Sequence, residues 1–215
     1  MNKKINISII GTRGYPYVYS GYETFVKQLS ERLVLKDFNV SIYCHKGLFE
    51  IRPKELKGIK LVYVPTMETK ILSQPIHSFL SIIHACFSNT DVALVVNSAN
   101  GPFGLLTKLF KVPTAINVDG LEWLRPKWKG LGSIYFKWAS KMATLFYDQI
   151  INDSDEMRKV YLDLFKKDSK VIAYGANIRK SESPQIINKF NLKQREYYLI
   201  IGRLIPDNNA DIIIN

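Results

Sequence analysis

Residues 4–26, KINISIIGTRGYPYVYSGYETFV, set an apolar run, a turn with three glycines and an apolar repeat of helical spacing in direct succession. The run at 4–10 reads as a buried strand. From 20 to 35 the apolar residues Tyr22, Phe25, Val26, Leu29 and Leu33 fall on one helical face. A strand, a glycine turn and a helix in that order open a parallel α/β arrangement, and the rest of the chain continues the alternation. Strand patterns recur at 38–44, 59–64, 91–97, 113–118, 148–152 and 170–174, with helical patterns at 75–87, 102–110, 132–147 and 154–165. Several of these strands are apolar on both faces, which predicts a doubly wound, Rossmann-like parallel sheet covered on both sides.

The rhythm fails at 175–195, where the sequence turns polar, and resumes in EYYLIIGRLIPDNNADIIIN at 196–215. This predicts a complete domain over 1–178, a linker over 179–195 and the opening of a truncated second domain over 196–215. A lone strand with half a helix cannot bury its own apolar face.

In 215 residues, 47% hydrophobic and 23% charged, there is material for one good core, and disorder is not expected. Cys44 and Cys86 lie far apart without a CxxC or Cys/His pairing, so neither a disulfide framework nor a zinc site is expected. No run reaches the length of a membrane span, and the N-terminus is too short and polar for a signal peptide. The formal net charge of +11 points to anionic partners: nucleic acid, a nucleotide diphosphate or an anionic membrane surface.

In an open parallel sheet, ligands bind beyond the carboxyl ends of the strands, where the 11–21 turn is predicted to lie. Glycines let amides approach a ligand, and the helix start adds a partial positive charge, which together suit a phosphate. A P-loop is excluded by the lack of Gly-Lys-Ser/Thr. The dinucleotide fingerprint fails because Arg13 stands where a glycine is needed, leaving NAD(P) a minor alternative through Lys46. Ser20 and Glu23 also form a capping-box pattern, which gives Glu23 a structural role. His77 and His84 share a helical face but lack a carboxylate partner, and read as core or surface histidines.

GTRGYPYVYSGYETFVKQL, NVDGLEWLRPKW (117–128), IINDSDEMRKVY (150–161), VIAYGAN (171–177) and IGRLIPDNN (201–209) together resemble retaining GT-B glycosyltransferases. The likeness is to the rhamnosyltransferase-like branch of family 4 in bacterial polysaccharide synthesis. The resemblance implies two Rossmann-like domains facing across a cleft, the first binding mainly acceptor and the second mainly nucleotide sugar. It implies donor-phosphate contacts from Gly11, Arg13, Gly14, Ser20, Gly21 and Arg203, and catalytic places for Asp119 and Glu122. Asn208 and Asn209 stand where the family often has a lysine and a glycine. The acceptor or membrane side would be formed by Tyr15, Tyr22, Trp123, Arg125, Lys127 and Trp128. The implied donor is dTDP-L-rhamnose, used as substrate, with no cofactor and no dedicated metal. The implied partners are a lipid-linked saccharide and the anionic inner membrane surface, not nucleic acid, and the implied place is cytoplasmic, peripheral at the inner face of the membrane. Donors at the leaving diphosphate and an anionic group near the anomeric carbon stabilise the charges that develop as the sugar–phosphate bond breaks.

All three tryptophans fall within 121–141, interleaved with Arg125, Lys127, Lys129, Lys137 and Lys141. The 125–129 stretch reads as a functional loop, whereas Trp138, inside a helical pattern, reads as core. Tyr15, Tyr17, Tyr19 and Tyr22 are candidates for an acceptor pocket or for loop packing. The competing reading is a noncatalytic saccharide- or membrane-binding remnant, because the donor-binding half would lie beyond residue 215; the chain alone is expected to transfer little.

Overall fold

The computed structural model describes residues 3–17, 20–67, 69, 72–178, 180, 182–202 and 209–214. Strand β1 (Asn6–Ile10) leads through the glycine turn into helix α1 (Gly21–Leu35) and then β2 (Asn39–His45). A short β3 (Glu55–Leu56) and β4 (Ile59–Val64) precede α2 (Ser73–Cys86) and β5 (Val92–Val96). The chain goes on through α3 (Gly104–Leu109), β6 (Thr114–Val118), α4 (Leu131–Phe146), β7 (Gln149–Asn152), α5 (Asp155–Phe165) and β8 (Lys170–Val171). One sheet holds all eight strands in the order β3-β4-β2-β1-β5-β6-β7-β8. Only the β3–β4 pair is antiparallel.

Ile9 pairs with Ile42 on one side and Leu94 on the other, so β1 sits between β2 and β5. The direction in which the chain adds strands reverses there, and the crevice at the carboxyl ends of β1 and β5 is the topological switch point. Alternation along each strand builds two cores. Ile9, Ile42 and Val96 join Val26 of α1 in one. Ile10, Val95 and Ile116 join Ile82, Ala143 and Tyr161 from α2, α4 and α5 in the other. Burying one such isoleucine contributes roughly 1.5–3 kcal/mol, and a one-residue slip would send the whole set to the wrong face.

Three expectations change. The strand predicted over 170–174 stops after Val171, although Ile172 still donates its amide to the Asn152 carbonyl. Among the described residues of 196–202 no strand forms, and Tyr198, Leu199 and Ile201 are exposed, as follows when a strand has no neighbour to share its ladder. Trp138, expected in the core, is 48% exposed on the outer face of α4. Among the described residues no helix is long and apolar enough to cross a membrane.

Candidate functional site

The glycine turn is bare chiefly because it is packed. Gly11 has φ 106°, and a Cβ there would lie 2.4 Å from the Val96 carbonyl oxygen of β5. Gly14 has φ 124°, and its Cβ would meet the Cys44 side chain of β2 at 2.8 Å. Both positions therefore exclude a side chain on conformation and on space. Glu23 clasps the turn from α1. Its buried carboxylate accepts the Arg13 amide at 3.2 Å, the Ser20 amide at 2.9 Å and the Ser20 hydroxyl at 2.5 Å. The capping box forms as the sequence predicts, and it closes both ends of the loop at once. Arg13 also takes the His45 amide on its carbonyl at 3.0 Å, tying the turn to the end of β2.

Beside this turn lies a cleft of about 570 Å³. One wall is the face of α1 formed by Gly21, Thr24, Phe25, Gln28, Leu29 and Arg32; the other is Asp119 after β6 and residues 174–177 after β8. Gly21, at the helix start, has open space where a side chain would be. The Tyr22 hydroxyl donates to Asp119, joining the first helix to the end of β6. Tyr174 donates to Asn117 at 2.8 Å and sets its ring edge against Phe25 at 5.2 Å. Burial holds the Asp119 carboxyl above the usual carboxylate range. The hydrogen bond from Tyr22 and the charge of Arg125 pull the other way without cancelling burial, to which the charges of Asp153 and Glu122 add. Burial likewise raises the Tyr22 and Tyr174 phenols, reinforced by Asp119. The cleft thus holds a carboxyl group at the end of β6, while the start of α1 offers the Gly21 amide.

Glu122 has a different place. Its carboxylate meets Arg125 Nε at 3.0 Å and Lys127 Nζ at 3.4 Å, and accepts the Trp128 indole N–H at 2.7 Å. Gly120, at φ 64°, passes close under the Arg125 guanidinium. The carboxylate expected to be catalytic is therefore the clasp of the 119–130 loop, and Arg125, Lys127 and Trp128 are its partners rather than a free binding surface. Glu122→Ala leaves an indole N–H and two cations unpaired and is expected to lower stability by about 1–2 kcal/mol in urea denaturation. A Glu122→Gln variant, which still accepts the indole proton, should recover part of that loss.

Of the residues singled out from sequence, Gly21 and Asp119 line the cleft, and Ser20 and Tyr22 stand beside them. Gly11 and Gly14 are packed into the sheet. Tyr15 is core: its ring is buried and its hydroxyl donates to Glu31 at 2.6 Å, so it is not on an acceptor surface. Trp123 is buried with its ring near Phe165. Tyr19, Arg203 and Asn208 lie outside the described residues. Sequence reasoning missed Asn117, Tyr174 and Arg32, whose guanidinium reaches Asn177 at 3.3 Å across the cleft. The only signal for Tyr174 was the VIAYGAN segment, quoted for its likeness and given no role.

Solved structures of similar fold include a sucrose-phosphate synthase from Thermosynechococcus elongatus, with 14% identity, 80% of this chain and 90% of that chain covered, and a TM-score of 0.53. Arabidopsis thaliana UGT89C1 in complex with UDP-L-rhamnose matches with 13% identity over 88% of this chain and 55% of that one, TM-score 0.51. A UDP-glucosyltransferase from Polygonum tinctorium gives 11% identity, 90% and 57% coverage, and a TM-score of 0.55. The chain spans a little over half the length of these plant proteins. The likeness shows the Rossmann-like fold of a GT-B domain. Curated protein sequences yield no significant match. A family model covers residues 4–177, from the first strand to the cleft's last wall, and the chain belongs to the family it describes, Domain of unknown function (DUF1972).

Proposed function

We propose that the chain is the acceptor-side domain of a GT-B glycosyltransferase that moves a sugar from a nucleotide diphosphate to a saccharide acceptor. One observation carries the reading: a cleft at the sheet mouth brings the open start of α1 and a half-buried carboxylate, Asp119, to the same space. The two parts suit opposite charges. The Gly21 amide and the dipole at the start of α1 favour the leaving diphosphate, while Asp119 favours the positive charge that grows on the anomeric carbon. A phosphate beside Asp119 and Asp153 would be repelled, so the sugar or acceptor hydroxyl belongs at that end. Arg203 is proposed as the cation that neutralises the diphosphate from the donor-binding half.

Within that reading the enzyme is a retaining member of family 4 that uses dTDP-L-rhamnose and a lipid-linked saccharide in capsule or surface-polysaccharide assembly. Its motif resemblance from 11 to 209 supports the branch, and the net charge of +11 supports work beside an anionic inner membrane. A chain extended through a second domain is expected to transfer radiolabelled rhamnose from dTDP-L-rhamnose to a membrane lipid extract, with the 215-residue chain alone giving little. Equal transfer from UDP-glucose would remove the donor assignment. Saccharide binding without transfer by the extended chain would establish the noncatalytic reading instead.

A further inference from the structure

Helices α2, α3 and α4 lie side by side on one face of the sheet, with α3 touching both neighbours. None of the three contains an Asp or Glu. By contrast, α1 carries Glu23 and Glu31, and α5 carries Asp155, Glu156 and Asp163.

On α4 the stripe of Phe136, Ala139, Ser140, Ala143 and Thr144 is buried against the sheet. Its opposite stripe should then be polar, and it is not. Leu131, Ile134, Trp138 and Leu145 all face solvent, Leu131 at 84% exposure. Leu105, Leu109 and Phe110 extend this surface across α3, and the exposed Phe110 meets the exposed Phe87 at the end of α2 with ring centroids 4.8 Å apart. A helix whose outward stripe is also rich in apolar residues presents an exposed apolar patch, and patches of this kind mark contact surfaces. The charges interleaved with the patch are all of one sign: Lys108, Lys111, Lys137 and Lys141, each exposed.

The occupant must therefore be apolar and anionic together. A second copy meeting this face with its own would set lysines against lysines. A bilayer surface with anionic headgroups supplies both requirements, acyl chains for the aromatic and leucine side chains and phosphates for the ammonium groups. We propose that the α2–α3–α4 face rests on an anionic bilayer, with Trp138 and Phe110 entering the boundary between headgroups and acyl chains and the four lysines at headgroup level. The surface differs from the 125–129 stretch expected from sequence, where Arg125 and Lys127 are held by Glu122. Helix α4 begins directly after the loop that carries Asp119, and it covers the sheet face opposite α1, so the surface is separate from the cleft. The assignment rests on the membrane-linked acceptor proposed above, but its test uses no sugar. Its failure would leave transfer to a soluble acceptor standing.

Co-sedimentation of the 215-residue chain with vesicles of phosphatidylglycerol and phosphatidylcholine is expected to show binding that vesicles of phosphatidylcholine alone do not support. Tryptophan emission should shift to shorter wavelength on binding. Trp138→Phe should abolish the shift while binding persists, since Trp123 is buried and Trp128 is held by Glu122. Lys137→Gln with Lys141→Gln is expected to lower the partition roughly 30-fold. Phe110→Glu with Trp138→Glu should abolish binding without moving the thermal transition, and Leu131→Ser with Ile134→Ser provides a second pair if that variant unfolds. Absence of binding, equal binding to neutral vesicles, or binding untouched by these pairs would overturn the proposal. So would a dimer in sedimentation equilibrium that the glutamate pair dissolves, because the face would then belong to a second copy.

Discussion

Asp119→Asn is expected to cut sugar transfer about 10²–10³-fold, the size seen when one charge-stabilising group is removed from a preorganised site, while leaving the fold intact. The substitution keeps an oxygen in place to accept the Tyr22 hydroxyl and removes only the negative charge. The stability effect separates a catalytic carboxylate from a structural one. Burial raises the pKa of Asp119 in the folded chain above its unfolded value, so the folded state holds the proton more tightly. Stability from this group is therefore full at low pH and falls as pH rises through the raised value. Asp119→Asn removes a charge that the fold disfavours, and at neutral pH it should raise the melting temperature relative to wild type, with the difference shrinking in acid. Loss of transfer together with a higher melting temperature fits a group kept for the reaction. A variant that loses both stability and activity would make Asp119 a structural turn carboxylate before Gly120.

Legibility in the sequence followed the range of the interaction. The switch from alternating to helical apolar spacing is local, so β1, α1, β2, β5, β6, α4 and α5 emerged from the sequence with bounds close to those observed. The Ser20–Glu23 capping box was local as well. The reason for the bare turn was not. Gly11 answers to the Val96 carbonyl and Gly14 to Cys44, both brought close only by strand pairing, and neither neighbour is visible from residues 11–21. Tyr174 and Asn117 are 57 positions apart and meet only once β6 and the segment after β8 are brought together by the sheet. Trp138 reads as core from spacing because α4 has apolar residues on both its inner and outer stripes, and spacing alone cannot say which stripe faces the sheet. Glu122 looked catalytic beside Asp119, yet its three partners follow within six residues and form a local clasp, a pattern that counting charges in 122–128 could have exposed.

Acid should weaken this protein well above the pH at which carboxylates are protonated, and His77 is the cause. Its ring is fully buried on α2 and stacked on the His45 ring at a centroid distance of 3.8 Å. Burial, reinforced by the charge of His45, pushes the His77 pKa from 6.5 down to about 3. The unfolded chain takes up a proton near pH 6.5 and the folded chain does not, so between those values the unfolded state binds more protons. Stability is present above pH 6.5 and is lost as pH falls, with a ceiling of about 5 kcal/mol once the folded-state value is reached. About 2 kcal/mol of this falls between pH 7 and 5, before the carboxylates titrate, and that is a large share of a typical domain's stability. The effect bears on the site because His45 donates its amide to the Arg13 carbonyl, so charging His77 disturbs the strand end that anchors the glycine turn. Urea denaturation of wild type and His77→Gln at pH 7 and 5 tests this directly. The variant should start less stable at pH 7 because the core is repacked, yet change little between the two values. Parallel losses in wild type and variant would remove His77 as the acid-sensitive group.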